Sequence, residues 1–254
     1  MCSRLFVHQY QENVASQITL LQGLFGFART SKKFANSLHS RTGFNVQGID
    51  LLNHGSSQHG PMIFTDIRKD IDALITRKQV VVGHSLGGKV LLDNLHNKNI
   101  TAGIVLDIGP KKSDMSLMSK YIDWMIAEDG LANRQHIKDN LLKNIPNVEI
   151  VHFLMTNLKK KMVGKILHWH FQLGLEELKE GIKNMEAPIT TTSDIPLLFI
   201  KASDSTYIQD EDIPQIKQQY KNATIKTVQG SHWIHQDNPR DVVQEIHQFL
   251  DSIK

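Results

Sequence analysis

The segment Val80-Val81-Val82-Gly83-His84-Ser85-Leu86-Gly87-Gly88-Lys89 constrains this 254-residue chain more than any other. An apolar, β-branched run enters G-x-S-x-G and then a helix-compatible stretch, which is the pattern of a strand, a tight turn and a helix with serine at the turn. A serine hydroxyl is a weak nucleophile, so such a turn has to hold it exposed beside a base and near donors for a developing oxyanion. Gly83 and Gly87 let the turn close. The Leu86 N–H, at the start of the new helix, is one candidate oxyanion donor.

The chain around this turn alternates strand-like and helix-like segments. Strands are expected at 5–10, 18–21, 44–49, 80–82 and 103–106, with helices at 32–40 and 66–77, the latter capped at Thr65. Ile67, Ile71, Leu74 and Ile75 would form the apolar face of that second helix. Between 113 and 193 the alternation gives way to successive helical patterns at 116–128, 135–143, 148–158 and 172–185. Strands at 197–200 and 224–228 resume the rhythm, and an amphipathic helix over 240–253 closes the chain. This is an α/β pattern with a mostly parallel central sheet, flanking helices and an insertion.

Composition removes several classes of partner. The 29 basic and 26 acidic residues leave a net charge of +3, too little for the basic face of a nucleic-acid protein. No apolar run approaches the roughly 20 residues of a membrane span. Residues 1–10 carry one basic side chain and no long apolar stretch, so neither a secretory nor an Arg-rich transit signal is expected, and the expected location is cytoplasmic. Cys2 is the one cysteine, which excludes an internal disulfide and a thiolate zinc site.

Two further loops complete a chemical set. Leu20-Leu21-Gln22-Gly23-Leu24-Phe25-Gly26 is a strand end followed by glycines, which makes the Leu24 N–H the second candidate oxyanion donor. Gln229-Gly230-Ser231-His232-Trp233 follows the last strand, so His232 falls at the strands' carboxyl ends, where open parallel sheets bind ligands. Other motifs carry less. Gly83, Gly88 and Lys89 have phosphate-loop spacing, but Val90 lacks the hydroxyl such a loop needs for Mg²⁺. The pairs His232/His235 and His168/His170 lack the third convergent ligand of a metal site, and His54 and His59 read as shaping a glycine-rich loop. Lys159, Lys160, Lys161 and Lys165 read as a solvated turn, with attraction of an anionic substrate as the alternative.

These residues resemble the α/β-hydrolase superfamily, in particular the small YbfF-type esterases and their mitochondrial relatives. The pieces that carry the resemblance are Gly23-Leu24-Phe25-Gly26, Asn53-His54-Gly55, residues 81–89, Leu106-Asp107-Ile108-Gly109-Pro110, Val151-His152-Phe153-Leu154-Met155-Thr156-Asn157-Leu158 and Gly230-Ser231-His232-Trp233. The resemblance implies a hydrolase core over 1–112 and 194–254, with 113–193 as a helical cap above the site. It also implies a triad of Ser85, His232 and an acid. Ser205 occupies the slot where most of the superfamily has the acid. Similarity to the YbfF-type branch points to Asp107, with Asp204 as the alternative acid and Asp204 or Ser205 as supporting polar groups. Gln22 stands where the usual pattern has histidine, which puts the oxyanion-loop geometry in question.

The function implied is hydrolysis of small carboxylic esters of short acyl chain by a monomer or dimer, with no metal or organic cofactor. Phe25, His84, Trp124, Trp169 and Trp233 are the candidate pocket residues, with packing inside the 113–193 stretch an equal reading for Trp124 and Trp169. Acyl transfer or thioester hydrolysis on the same triad, and a non-catalytic binding module, are the alternatives.

Overall fold

The computed structural model describes residues 3–11, 17–130 and 133–254. Cys2 lies outside them. Seven strands form one sheet: β1 (Phe6–Gln9), β2 (Ile18–Leu21), β3 (Val46–Asp50), β4 (Gln79–His84), β5 (Ile100–Leu106), β8 (Leu197–Ala202) and β9 (Ala223–Val228). Their order is β1-β3-β2-β4-β5-β8-β9. Only β1 runs antiparallel, against β3, and every other neighbouring pair is parallel. This is the mostly parallel sheet read from the sequence.

The strands are apolar on both faces because helices cover both faces. Val81 enters a core with α2 (Phe64–Leu74) and α3 (Leu86–Asp93), which contribute Ile67, Ile71, Val90 and Leu91. Val80 and Val82 enter the opposite core, with Phe34 and Leu38 of α1 (Lys32–Thr42) and Ile246 and Phe249 of the last helix. The chain winds from β2 outward to β3, then crosses back so that β4 lies on the other side of β2. The order therefore reverses between β2 and β4, which opens a crevice at their carboxyl ends.

Between β5 and β8 lie α4 (Ser116–Glu128), α5 (Arg134–Asn144), α6 (Val148–Met155), strands β6 (Leu158–Val163) and β7 (Ile166–Phe171), and α7 (Leu175–Gly181). Asn133 and Asn147 cap α5 and α6, each accepting two N–H groups of the first turn. The paired strands β6 and β7 depart from the all-helical reading of this stretch. The lysine run read as a turn lies within β6, and the chain reverses at Gly164 and Lys165. Residues 159–167 are exposed on both faces, so no period-2 alternation marks them as a strand. Thr65 is also not a cap. Helix α2 starts one residue earlier, and Asp66 N–H bonds back to Ile63 O at 3.0 Å.

Beyond β8 come α8 (Ile213–Gln219), α9 (Ile234–Asp237) and α10 (Pro239–Ser252), the last capped by Asn238 with Pro239 in its first turn. Among the described residues no helix is long and apolar enough to cross a membrane.

Candidate active site

Ser85 is the single residue between β4 and α3, with φ 51° and ψ −117°. Its neighbours explain how so sharp a turn closes. A Cβ on Gly83 would sit 2.4 Å from Gly87 O, and one on Gly87 would sit 2.3 Å from Leu21 O. Ser85 N–H donates to Leu106 O at 3.1 Å, and Lys89 N–H donates to Ser85 O at 3.0 Å, which fixes the turn from both sides. Leu86 opens α3, so its N–H has no acceptor within the helix, and the residue borders the site.

His232, in the loop after β9, stands 2.8 Å by Nδ1 from Asp107 Oδ2. Asp107 is fully buried at the end of β5, and its other oxygen accepts the Ala202 N–H at 3.0 Å. A carboxylate so placed can only accept from the imidazole, so Nδ1 carries the hydrogen and Nε2 is left basic. Asp204 does not share this position. It is exposed and accepts from Gln229 Nε2, at 3.1 and 3.0 Å, and from Ser203 Oγ at 2.8 Å. Ser205 supports the site indirectly: its Oγ accepts the Tyr207 N–H at 3.3 Å, and the Tyr207 ring stacks on His232 at 3.9 Å and 18°.

A second histidine braces the first. His84 Nε2 donates to the His232 carbonyl at 2.8 Å. Burial first, then adjacent His235 and His232, hold the His84 imidazole well below its ordinary pKa, and burial pushes His235 down to about 4. Both stay neutral, so neither places a charge beside His232. His235 and His232 do not converge: His235 packs on His84 and Phe34 instead.

The glycine-rich loop after β2 is fixed by residues whose roles the sequence left unassigned. Phe25, at φ 64°, donates its N–H to His54 Nε2 at 3.0 Å, while His54 Nδ1 donates to Leu52 O at 2.8 Å. Burial pushes His54 down to about 4, which keeps it in the neutral form this arrangement needs. Asn157 Nδ2 donates to Phe25 O at 2.9 Å. The Phe25 N–H is thus committed to His54, while Leu24, the candidate oxyanion donor, borders the cavity. Gln22, which replaces the usual histidine, is buried and accepts from Ser31 Oγ at 2.6 Å. Asn53-His54-Gly55 and the segment Val151 to Leu158, which contains Asn157, were visible as motifs, but nothing in their spacing gave these partners.

Ser85, His232, Leu24 and Leu86 border a cavity of about 230 Å³. Phe25, His84 and Trp233 line it, as do Leu117, Met118 and Tyr121 of α4 with Ile150 and Phe153 of α6. Trp124 and Trp169 do not line it. Trp124 lies one helical turn beyond Tyr121 and packs on that ring at 5.8 Å, and Trp169 sits on β7 beneath Arg134 and Lys160, at 5.7 and 5.4 Å. Lys89, almost fully buried, borders the cavity too. Its Nζ donates to Met185 O and Ala187 O, both at 2.8 Å, and to Ser113 Oγ at 3.3 Å, so it ties both ends of the 113–193 stretch to the helix after Ser85. Burial pulls this ammonium down to about 8.

Residues 23–245 match the alpha/beta hydrolase family. The sn-1-specific diacylglycerol lipase ABHD11 of Danio rerio is 32% identical, over 93% of this chain and 78% of its own length. A protein of Saccharomyces cerevisiae named "Probable alcohol acetyltransferase" is 24% identical, over 92% of this chain and 77% of its own. Among solved structures, a marine microorganism esterase superposes with a TM-score of 0.88 at 28% identity, covering 96% of this chain and 98% of that one.

Proposed function

The chain belongs to the alpha/beta hydrolase family, and from that premise we propose that it hydrolyses small carboxylic esters through an acyl-enzyme on Ser85. Ser85 Oγ attacks the ester carbonyl as His232 Nε2 takes its proton. The tetrahedral oxyanion forms against the Leu24 and Leu86 N–H groups, and its collapse expels the alcohol, which leaves with the proton returned by His232. Water, deprotonated by the same nitrogen, then attacks the acyl-serine and releases the carboxylic acid. Asp107 holds the productive tautomer and stabilises the imidazolium in both halves. This cycle calls for no metal or organic cofactor.

The observation that carries the proposal is the 2.8 Å pairing of His232 Nδ1 with a fully buried carboxylate, at the rim of the cavity that Ser85 borders. In this reading 1–112 and 194–254 are the hydrolase core and 113–193 is a cap whose α4 and α6 supply the acyl-binding wall. The wall is apolar and the cavity modest, which favours a short acyl chain on an uncharged substrate. Acyl transfer to an alcohol is the second reading. It is favoured by the name of the Saccharomyces cerevisiae relative and by a wall that would concentrate an alcohol against the acyl-serine as readily as water.

The test is turnover of p-nitrophenyl acetate, butyrate and octanoate in EDTA by the wild type and Ser85→Ala, with and without ethanol. The wild type is expected to favour the shorter esters, and Ser85→Ala to lose on the order of 10⁵–10⁶ in kcat while remaining folded. Ethyl ester formation would report transfer. An inactive wild type, or a Ser85→Ala variant as active as wild type, would sink the proposal.

A further inference from the structure

The β6–β7 hairpin serves neither the core nor the cavity at its outer end. Of the nine large hydrophobic side chains exposed among the described residues, four lie here: Met162, Val163, Ile166 and Leu167, at 59, 51, 59 and 37% exposure. They are paired across the strands, Met162 with Leu167 and Val163 with Ile166. Neighbouring pairs point to opposite faces of a two-stranded ribbon, so the tip is apolar on both sides. Behind it come Lys161, Lys160 and Lys159, again on alternating faces, and Lys165 stands in the turn beside Gly164. Among the described residues none of these four lysines has a carboxylate within ion-pair distance. Lys160 instead lies over the Trp169 ring at 5.4 Å. Asp129, at the hairpin's base, is taken up by His170 and the Phe171 N–H.

We propose that this hairpin is a peripheral docking element for an anionic phospholipid surface, with the four apolar side chains entering the headgroup–acyl boundary and the lysines pairing with phosphates. A protein partner would cover one face of the ribbon and leave the other exposed. A lipid interface surrounds the tip, which is what a wedge apolar on both faces requires. Spacing agrees: at about 3.4 Å per residue the lysine row begins roughly 7 Å behind the turn and runs back to about 14 Å, and interfacial elements bury apolar groups to about 5–10 Å. Lys165, at the turn itself, reaches back to the phosphates along its aliphatic stem. Lysine on an exposed strand edge also discourages strand-to-strand aggregation, but that role has no use for four exposed hydrophobics at the tip. The proposal concerns where the protein sits and is independent of the chemistry at Ser85.

Vesicle flotation tests it, using phosphatidylcholine alone and phosphatidylcholine mixed with phosphatidylglycerol, at low and high salt. The wild type is expected to float with the mixed vesicles and not with phosphatidylcholine alone, less so at high salt. K159Q/K160Q/K161Q is expected to lose about fivefold in partitioning per lysine, about a hundredfold together. M162S/V163S/I166S/L167S is expected to lose at least as much, and both variants to keep wild-type circular dichroism and turnover of a soluble ester. Should the tip variant fail to fold, Ile166→Ser alone is expected to cost about fivefold. Flotation unaffected by either set of changes, or affected by the lysines alone, would overturn the proposal. So would no flotation, or tip-dependent self-association without vesicle binding, which would make a second copy of the chain the occupant.

Discussion

Replacing Asp107 by Asn is the perturbation that best separates a working triad from a chance cluster, because the surroundings dictate how the amide must sit. The carboxylate has two fixed donors, the Ala202 N–H at 3.0 Å on Oδ1 and His232 Nδ1 at 2.8 Å on Oδ2. An asparagine has one acceptor to share between them. With its oxygen on Ala202, the NH₂ faces His232 and forces Nδ1 to accept, which moves the imidazole hydrogen to Nε2, where the serine proton has to go. The flipped amide sets two donors against each other at Ala202 and costs about 1–3 kcal/mol in a buried site. The first arrangement is therefore preferred, and the inactive tautomer with it. A wrong tautomer in such a triad costs about 10⁴ in kcat, or about 5.4 kcal/mol of transition-state stabilisation at about 1.36 kcal/mol per decade. The assay is kcat for p-nitrophenyl butyrate beside a thermal melt. Asp204→Asn is the control and is expected to stay within about twofold of wild type, since its partners are exposed side chains remote from the imidazole. An Asp107→Asn enzyme within about tenfold of wild type, or a collapse in Asp204→Asn, would refute the reasoning.

Two stability predictions follow from the turn and its strap. Lys89→Met leaves the Met185 and Ala187 carbonyls unpaired and is expected to cost about 2 kcal/mol near neutrality, as read by urea unfolding. Its pH dependence has a definite sign. The folded Lys89 releases its proton near 8 and the unfolded one near 10.5, so between those values the unfolded chain binds the extra proton and stability rises with pH. That gain is about 2 kcal/mol after allowing for screening across the cavity, and it should be present in the wild type and missing from Lys89→Met. Parallel pH profiles would count against the assignment. Ser85→Gly and Ser85→Ala both remove the hydroxyl but differ in backbone freedom. Strain of about 1–3 kcal/mol at φ 51° is relieved only by glycine, against about 0.4–1 kcal/mol of added unfolded-state entropy. Ser85→Gly should therefore be the more stable by about 1 kcal/mol in thermal unfolding, and an alanine variant of equal or greater stability would show the turn to be unstrained.

What could be read from the sequence was what is local or periodic. The elbow declares itself within ten residues because strand, turn and helix are contiguous, and Ile67 and Ile71 mark the buried face of α2 by spacing alone. His232 could be proposed because it follows a strand, and ligand-binding groups in parallel sheets gather at strand ends, whereas Asp107 came only from the resemblance to the YbfF-type branch, with Asp204 also open. Lys89 was visible only as part of a false phosphate-loop spacing, since two of its partners are backbone carbonyls 96 and 98 residues away with no side-chain signature. The bond from Phe25 to His54 is of the same kind. Trp124 and Trp169 stayed open between pocket and packing because aromatic content does not reveal which turn of a helix, or which side of a ribbon, faces a cavity; both pack against the core. The hairpin stayed hidden because alternation arises from burying one face, and this ribbon buries neither at its outer end.

Backbone strain in this chain is not scattered. Among the described residues, the four non-glycine residues with positive φ, Phe25, Asn53, Ser85 and Asp107, come shortly after β2, β3, β4 and β5, at the carboxyl ends of the strands. Each is held by bonds to residues elsewhere in the chain: Phe25 by His54 and Asn157, Asn53 by reciprocal bonds with Gly60 across its own loop, Ser85 by Leu106, and Asp107 by Ile200 and Ala202. At about 1–3 kcal/mol apiece such conformations persist only where their surroundings over-determine them. Glycine would remove the strain, but it would also remove the Ser85 hydroxyl at the cavity wall and the Asp107 carboxylate that meets His232. Asn53 tolerates the left-handed region through its own side-chain bonds. Phe25 differs: it lines the cavity while its N–H goes to His54, so the strained turn serves the loop's own bonding as well as the cavity wall. The parallel sheet, buried on both faces and resisting local relaxation, supplies the rigidity against which all four turns are held.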